Sequence, residues 1–158
     1  MNELTSRIAK HLREVCFGGN WSASSLRDQL KGVTWEQALT PVQDFNTIAT
    51  LVFHMNYYIA GVSKVLDGGP LDIRDKFSFD HPPIHNQEDW DNFLAQVWRD
   101  AEYFIQQIEQ LPDTILTENF TDGKYGDYFR NLHGIIEHFH YHLGQIVLLK
   151  RMVASPQG

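Results

Sequence analysis

The sequence predicts an all-α protein, a four-helix bundle in which one connection is a long crossover. Four long segments repeat apolar residues at spacings of three and four, and no segment alternates apolar and polar residues as a strand does. The connection over residues 71–85 contains Pro82-Pro83 and is too long for a tight helical hairpin. Since 158 residues suffice for one core, we expect a single domain over residues 1–158.

Composition and charge narrow the classes of protein that the chain can belong to. Hydrophobic residues make up 42% and charged residues 21%, which is typical of a globular protein. The net charge of -7 and the lack of a Lys/Arg cluster argue against nucleic-acid binding. No segment approaches the ~18 uninterrupted apolar residues of a membrane span, and charges interrupt the N-terminal segment as they would not in a signal peptide. We therefore expect a soluble cytoplasmic protein, in which the single cysteine, Cys16, belongs to the core.

The first helix and two short ones account for the N-terminal third of the chain. The first helix is predicted over about Asn2–Cys16, and Gly18-Gly19 follow as a stop signal. Its expected buried stripe comprises Leu4, Ile8, Leu12 and Val15. The segments "SASSLRDQL" and "TWEQAL" each predict a turn or two of helix behind a Ser or Thr cap.

Three further long helices complete the predicted bundle. The second runs over about Asn46–Leu66 and ends at "DGGP". The third begins after Asn86, the expected N-cap, and continues to about Gln110. The last covers about Asp127–Met152. The long connection between the second and third helices allows them to run parallel rather than antiparallel.

The last helix carries an unusual concentration of imidazole. Its segment "IIEHFHYHLGQI", residues 135–146, contains three of the chain's eight histidines. A rotation of about 100° per residue gives a buried arc formed by Leu132, Ile135, Phe139, Leu143 and Ile146. His138 and His142 fall together at one edge of this arc. His133 and His140 fall on the other side of the helix, nearer solvent.

A third histidine, His54, lies at the edge of the apolar stripe of the second helix. Two histidines four residues apart on a helix can direct ring nitrogens toward one point, as in the zinc motif H-E-x-x-H. A catalytic metal site adds a third protein ligand and keeps one coordination position open. The sequence therefore predicts a metal site formed by His54, His138 and His142. Spacing alone leaves a second interpretation open, in which the three rings are half-buried side chains without an ion.

Two other arrangements of possible ligands do not form a site. His81 and His85 have the same spacing, but Pro82-Pro83 lies between them, so no helix aligns their rings. Glu137 and His140 form an E-x-x-H, which a di-iron carboxylate bundle would require twice, together with two further inward glutamates. No second E-x-x-H occurs in the sequence.

The residues around the predicted metal site are harder to assign. Tyr58 lies one turn beyond His54 and near its face, and Gln145 lies close to His138 on the helical wheel. We expect both to line the pocket or to orient a ligand, although both residue types are also ordinary in helical bundles. No acidic residue lies on the same side of either helix, so no catalytic acid or base is assigned.

The histidine in "LVFHMNYY" followed by a last helix that reads "HFHYHLGQI" resembles the DinB/YfiT-like superfamily of metal-binding four-helix bundles. The resemblance spans essentially the whole chain, including the helix order and the crossover. Its hallmark is H-x-x-x-H followed closely by G-Q-I, which corresponds to His138, His142, Gly144, Gln145 and Ile146. One departure is Leu143, since many relatives carry a basic residue before the glycine.

The resemblance implies a three-histidine site for a divalent metal, usually zinc or nickel, with water in the open positions. It also implies a homodimer that acts on a small-molecule substrate, since characterised relatives include transferases and isomerases that use low-molecular-weight thiols. Three neutral ligands leave the charge of the ion available to acidify bound water or thiol, which suits a hydrolase or a thiol S-transferase acting on a small electrophile. The alternative is a non-catalytic, dimeric bundle that binds a metal or small ligand in a structural or stress-related role.

Overall fold

The computed structural model describes residues 2–154, and all regular secondary structure in this part of the chain is helical. A single isolated β-bridge, between Asn119 and Asp127, accompanies the helices. The α-helices are α1 (Glu3–Phe17), α2 (Leu26–Leu30), α3 (Trp35–Leu39), α4 (Ile48–Leu66), α5 (Gln87–Gln110) and α6 (Tyr128–Ala154), and two 3-10 turns cover Asp75–Phe77 and Asp113–Thr117. The prediction of an all-α protein is confirmed.

The helices begin where side chains can accept their free backbone N–H groups. Asn86 is the N-cap of α5, as predicted, and its side chain accepts the N–H three residues on. Ser25 and Thr34 cap the two short helices in the same way. The helix α4 begins one residue after Thr47, slightly later than the predicted Asn46, because the Thr47 hydroxyl accepts the N–H of Thr50.

The buried face of α1 differs from the predicted stripe at its first position. Leu4 is 54% exposed, whereas Thr5 is fully buried and its hydroxyl donates to the carbonyl of Leu111. The carboxylate of Asp113 accepts the first backbone N–H groups of α1, including that of Thr5 at 3.0 Å. Because these hydrogen bonds hold Thr5 in the interior, the first turn of α1 buries a polar side chain, and the apolar stripe begins at Ile8. The remaining predicted residues of the stripe and Cys16 are buried.

Each long helix packs against two other long helices. The helices α1 and α4 both contact α5 and α6, and the short helices α2 and α3 pack at the sides of α1 and α4. Hydrogen bonds between α4 and α5 join Asn56 to Asp100 and Ser63 to Gln107, so that the paired residue numbers increase together. The contact between α4 and α6 is the one that brings His54 beside the histidines of the last helix.

The connection between α4 and α5 docks along the surface of α4. Ile73 lies over Gly61, where an added Cβ would come within 2.4 Å of the Ile73 side chain. The hydroxyl of Tyr57 donates to the carbonyl of Arg74 and accepts the N–H of the same residue. Among the helices of residues 2–154, none combines the length and apolar character that a membrane span requires.

We expect Thr47→Ala to lower the free energy of unfolding by about 1 kcal/mol, because the substitution removes the hydroxyl that caps α4. Chemical denaturation measures the loss. Thr114→Ala, at an exposed position in the second 3-10 turn, is the control and should leave stability nearly unchanged. Equal stability of the two variants would contradict the role of Thr47 as a cap.

Candidate metal centre

The rings of His54, His138 and His142 meet between α4 and α6, as the sequence predicts. The Nε2 atom of His138 lies 3.0 Å from Nε2 of His54 and 3.0 Å from Nε2 of His142. The three candidate ligand atoms all lie within 4.8 Å of one another. His54 and His142 are 7% and 8% exposed, and His138 is half-buried. The three residues are therefore close enough to hold a single metal ion.

The outer nitrogens of two rings carry hydrogen bonds that fix their tautomers. Nδ1 of His142 lies 2.5 Å from Oε1 of Gln145, and a carbonyl oxygen can only accept, so His142 donates. Nδ1 of His54 lies 3.0 Å from Oγ of Ser78, whose own proton is directed at a backbone carbonyl. His54 therefore donates as well. In both rings the proton is on Nδ1, and the lone pair of Nε2 faces the common point.

The three inner nitrogens are better suited to binding a divalent cation than to hydrogen bonding with one another. With both outer rings protonated on Nδ1, only His138 can place a proton among the three inner nitrogens, and one proton cannot fully satisfy two acceptors. Two imidazole nitrogens bound to one tetrahedral zinc ion at ~2.0–2.1 Å would lie about 3.3 Å apart, a few tenths of an ångström beyond the observed 3.0 Å. His54, His138 and His142 would hold the ion.

Burial keeps all three imidazoles neutral at physiological pH. Desolvation, followed by the charges that His142 and His54 would carry, lowers the pKa of His138 to about 4. Desolvation is also the largest cause that lowers the pKa of His54 and the pKa of His142. Since a nitrogen binds a metal only in its unprotonated form, the three rings are at pH 7 in the neutral form that metal binding requires.

Aromatic rings enclose the centre on two sides. Phe79 stacks on His54 with ring centroids 4.1 Å apart and planes inclined by 6°. Tyr58 lies edge-on to both His54 and His138, at 5.1 and 5.2 Å between centroids. The Tyr58 hydroxyl donates to Oδ1 of Asp75 at 2.7 Å, and burial raises the pKa of this phenol. Aromatic rings thus cover part of the surface of His54 and His138.

A cavity of about 600 Å³ opens beside the centre. His138 and Tyr58 belong to its lining, so a small molecule in the cavity would reach the histidine cluster. Its remaining wall combines apolar side chains with polar and charged ones, including Arg130 and Glu137, which form an ion pair at 3.6 Å. The lining comprises Tyr58, Val62, Leu71, Ile73, Asp75, Phe120, Tyr125, Arg130, Asn131, Gly134, Ile135, Glu137 and His138.

The two residues expected to line the pocket occupy different positions. Tyr58 lines the same cavity as His138. Gln145 contacts His142 rather than His138 and lines a second cavity of about 440 Å³, between α6 and the segment that precedes α4. Gln145 therefore contacts the side of His142 that faces away from the cluster, and Tyr58 faces the cavity that His138 lines.

The other histidines of the last helix lie away from the cluster. His140 is exposed, as expected for the outer side of α6. Glu137 is exposed and pairs with His133 and Arg130, but it also lines the cavity beside the cluster, which its predicted outward position did not indicate. His81 is half-exposed, and its Nδ1 is within hydrogen-bond distance of the carbonyl of Pro82 rather than near the cluster.

Three neighbours of the centre had no signal in the sequence. Ser78, Asp75 and Phe79 all belong to the connection between α4 and α5, where no helical periodicity fixes direction. A serine followed by a phenylalanine in an irregular segment is too common a combination to indicate a site. Their positions follow from the docking of this segment on α4.

Comparisons with protein-family models, with curated proteins and with solved structures give no match to this chain. Any functional conclusion must therefore come from the chemistry of the three imidazoles and of the cavity beside them.

The lowered pKa values predict how pH affects the stability of the metal-free protein. Between about pH 6.5 and pH 4 the unfolded chain binds protons that the folded cluster excludes, so the free energy of unfolding should fall as the pH falls through this range. His138→Gln should reduce the proton uptake on unfolding by up to about one proton per chain. Urea titrations in the presence of a chelator at several pH values measure the slope.

The control is His11→Gln, since this ring is exposed on α1 and distant in sequence from the cluster. An equal slope for His138→Gln and the unsubstituted protein would contradict the assignment of the depressed pKa to His138.

Proposed function

We propose that the chain is a four-helix bundle of the DinB/YfiT-like type, in which the connection between α4 and α5 is the long crossover. The mutual packing of α1, α4, α5 and α6 supports this architecture. The pairs Asn56–Asp100 and Ser63–Gln107 support a parallel arrangement of α4 and α5, which a short hairpin could not provide.

We further propose that the protein is a divalent-metal-dependent enzyme, a hydrolase or a thiol S-transferase that acts on a small electrophile. The observation that carries this proposal is the convergence of three neutral imidazoles on one point, with one of them, His138, lining a cavity. Imidazole ligands favour zinc or nickel over magnesium or calcium, which prefer oxygen. A divalent ion with three neutral ligands would lower the pKa of a bound water or low-molecular-weight thiol and so supply a nucleophile at neutral pH.

The residues of the chain then bind the substrate and exclude water. The cavity has the size of a small-molecule site, and its apolar wall, which includes Val62, Ile73 and Phe120, suits the body of an electrophile. The hydroxyl of Tyr58 donates to Asp75, and both residues line the cavity together with His138, where they would orient polar groups of the substrate. The net charge of -7 favours a small-molecule substrate over a nucleic acid.

Untagged protein loaded with zinc or nickel provides the test of this function. A chromogenic electrophile is supplied with a panel of low-molecular-weight thiols, and a chromogenic ester is supplied without thiol. We expect turnover in at least one assay and one ion per chain by elemental analysis. His142→Ala should lose the ion and at least about 100-fold in kcat/KM, because it removes a buried ligand.

His140→Ala is the matched control, since it removes an exposed imidazole from the same helix and should retain both ion and turnover. Turnover by His142→Ala equal to that of the unsubstituted protein would refute a metal-dependent mechanism. One ion per chain without turnover in any assay would instead support the non-catalytic, ligand-binding alternative.

A further inference from the structure

Ser78 is an unusual residue within the connection between α4 and α5. Most side chains of residues 67–86 are exposed, yet Ser78 is fully buried. A hydroxyl is buried at little cost only when its hydrogen bonds are satisfied. Ser78 satisfies this condition with two partners, the carbonyl of Asp75 and the imidazole of His54.

The two hydrogen bonds of Ser78 have a defined direction. The hydroxyl donates its single proton to the carbonyl of Asp75 at 2.7 Å. It can therefore only accept from Nδ1 of His54, at 3.0 Å. Because the acceptor is fixed, His54 is held in the tautomer whose Nε2 lone pair faces His138 and His142.

The competing tautomer of His54 would block the centre. If Nδ1 lost its acceptor, the proton could move to Nε2 and bond to Nε2 of His138, which lies 3.0 Å away. That proton would occupy the space in which a cation must be held. An outer hydrogen bond to a ligating histidine typically contributes 10–100-fold to metal affinity for this reason.

The segment around Ser78 is itself anchored to α4. Phe79 stacks on the face of the His54 ring, and the carboxylate of Asp75 accepts the hydroxyl of Tyr58. Further along, Ile73 lies over Gly61. These contacts hold Ser78 at a fixed distance from His54, and they also form part of the cavity wall, since Ile73 and Asp75 line it.

We propose that Ser78 is a positioning residue of the metal centre, which sets metal affinity by fixing the tautomer and ring plane of His54 from the connection between α4 and α5. This inference rests on the proposed metal-dependent function. It assigns to the connection a role in assembling the centre, in addition to joining two helices.

Zinc affinity tests the proposal, measured by competition with a chromophoric chelator. Ser78→Ala should bind zinc about 10–100-fold more weakly than the unsubstituted protein, and Ser78→Thr, which keeps the hydroxyl, should recover most of the affinity. Ser25→Ala is the matched control, because Ser25 is equally buried but caps α2. It should bind zinc as the unsubstituted protein does, even if its thermal stability falls.

A second measurement reports on the tautomer without metal. Nitrogen-15 NMR of the chelator-treated, unsubstituted protein should show His54 protonated on Nδ1, and Ser78→Ala should lose this preference. Unchanged zinc affinity in Ser78→Ala, or an equal loss in Ser25→Ala, would overturn the proposal. So would an Nε2-protonated His54 in the unsubstituted protein, a result that does not depend on whether any variant folds.

The NMR result also separates this inference from the proposed function. If the unsubstituted protein binds neither zinc nor nickel, the proposed function fails. The tautomer of His54 and its response to Ser78→Ala then decide the role of Ser78 alone.

Discussion

Three imidazoles can present lone pairs to one point only if their protons are held elsewhere. In this protein the outer nitrogens of His54 and His142 donate to oxygen acceptors, which leaves both Nε2 atoms bare beside His138. Burial adds to this constraint, since it makes a charged imidazole costly and keeps the rings neutral. The chemistry proposed for the cavity depends on this distribution of protons.

Rigid helices supply most of the geometry. His138 and His142 are one turn apart on α6, so the helix itself sets the relation between the two rings. His54 comes from α4, whose packing against α6 is fixed by the apolar core on either side of the centre. The irregular part of the chain contributes the outer contacts, including Ser78 and Phe79. The cluster thus combines three candidate ligands on rigid helices with a surrounding layer from a docked connection.

The features that could be predicted from the sequence are those that helical periodicity determines. The spacing of apolar residues on α4 and α6 indicated which histidines lie at the edge of the core, and the structure brings those three together. The cap at Asn86 could be read from a few neighbouring residues. Leu4 was wrongly expected inside, because its exposure depends on Asp113, more than a hundred residues away. Ser78 was missed for the same reason: its position is set by tertiary docking.

X-ray absorption spectroscopy at the metal edge tests the central claim most directly, on untagged protein loaded with one equivalent of zinc. We expect three imidazole nitrogens at about 2.0–2.1 Å from zinc, with a light-atom ligand such as water completing the shell. An ion surrounded by oxygen ligands alone, or by fewer than three imidazoles, would contradict it.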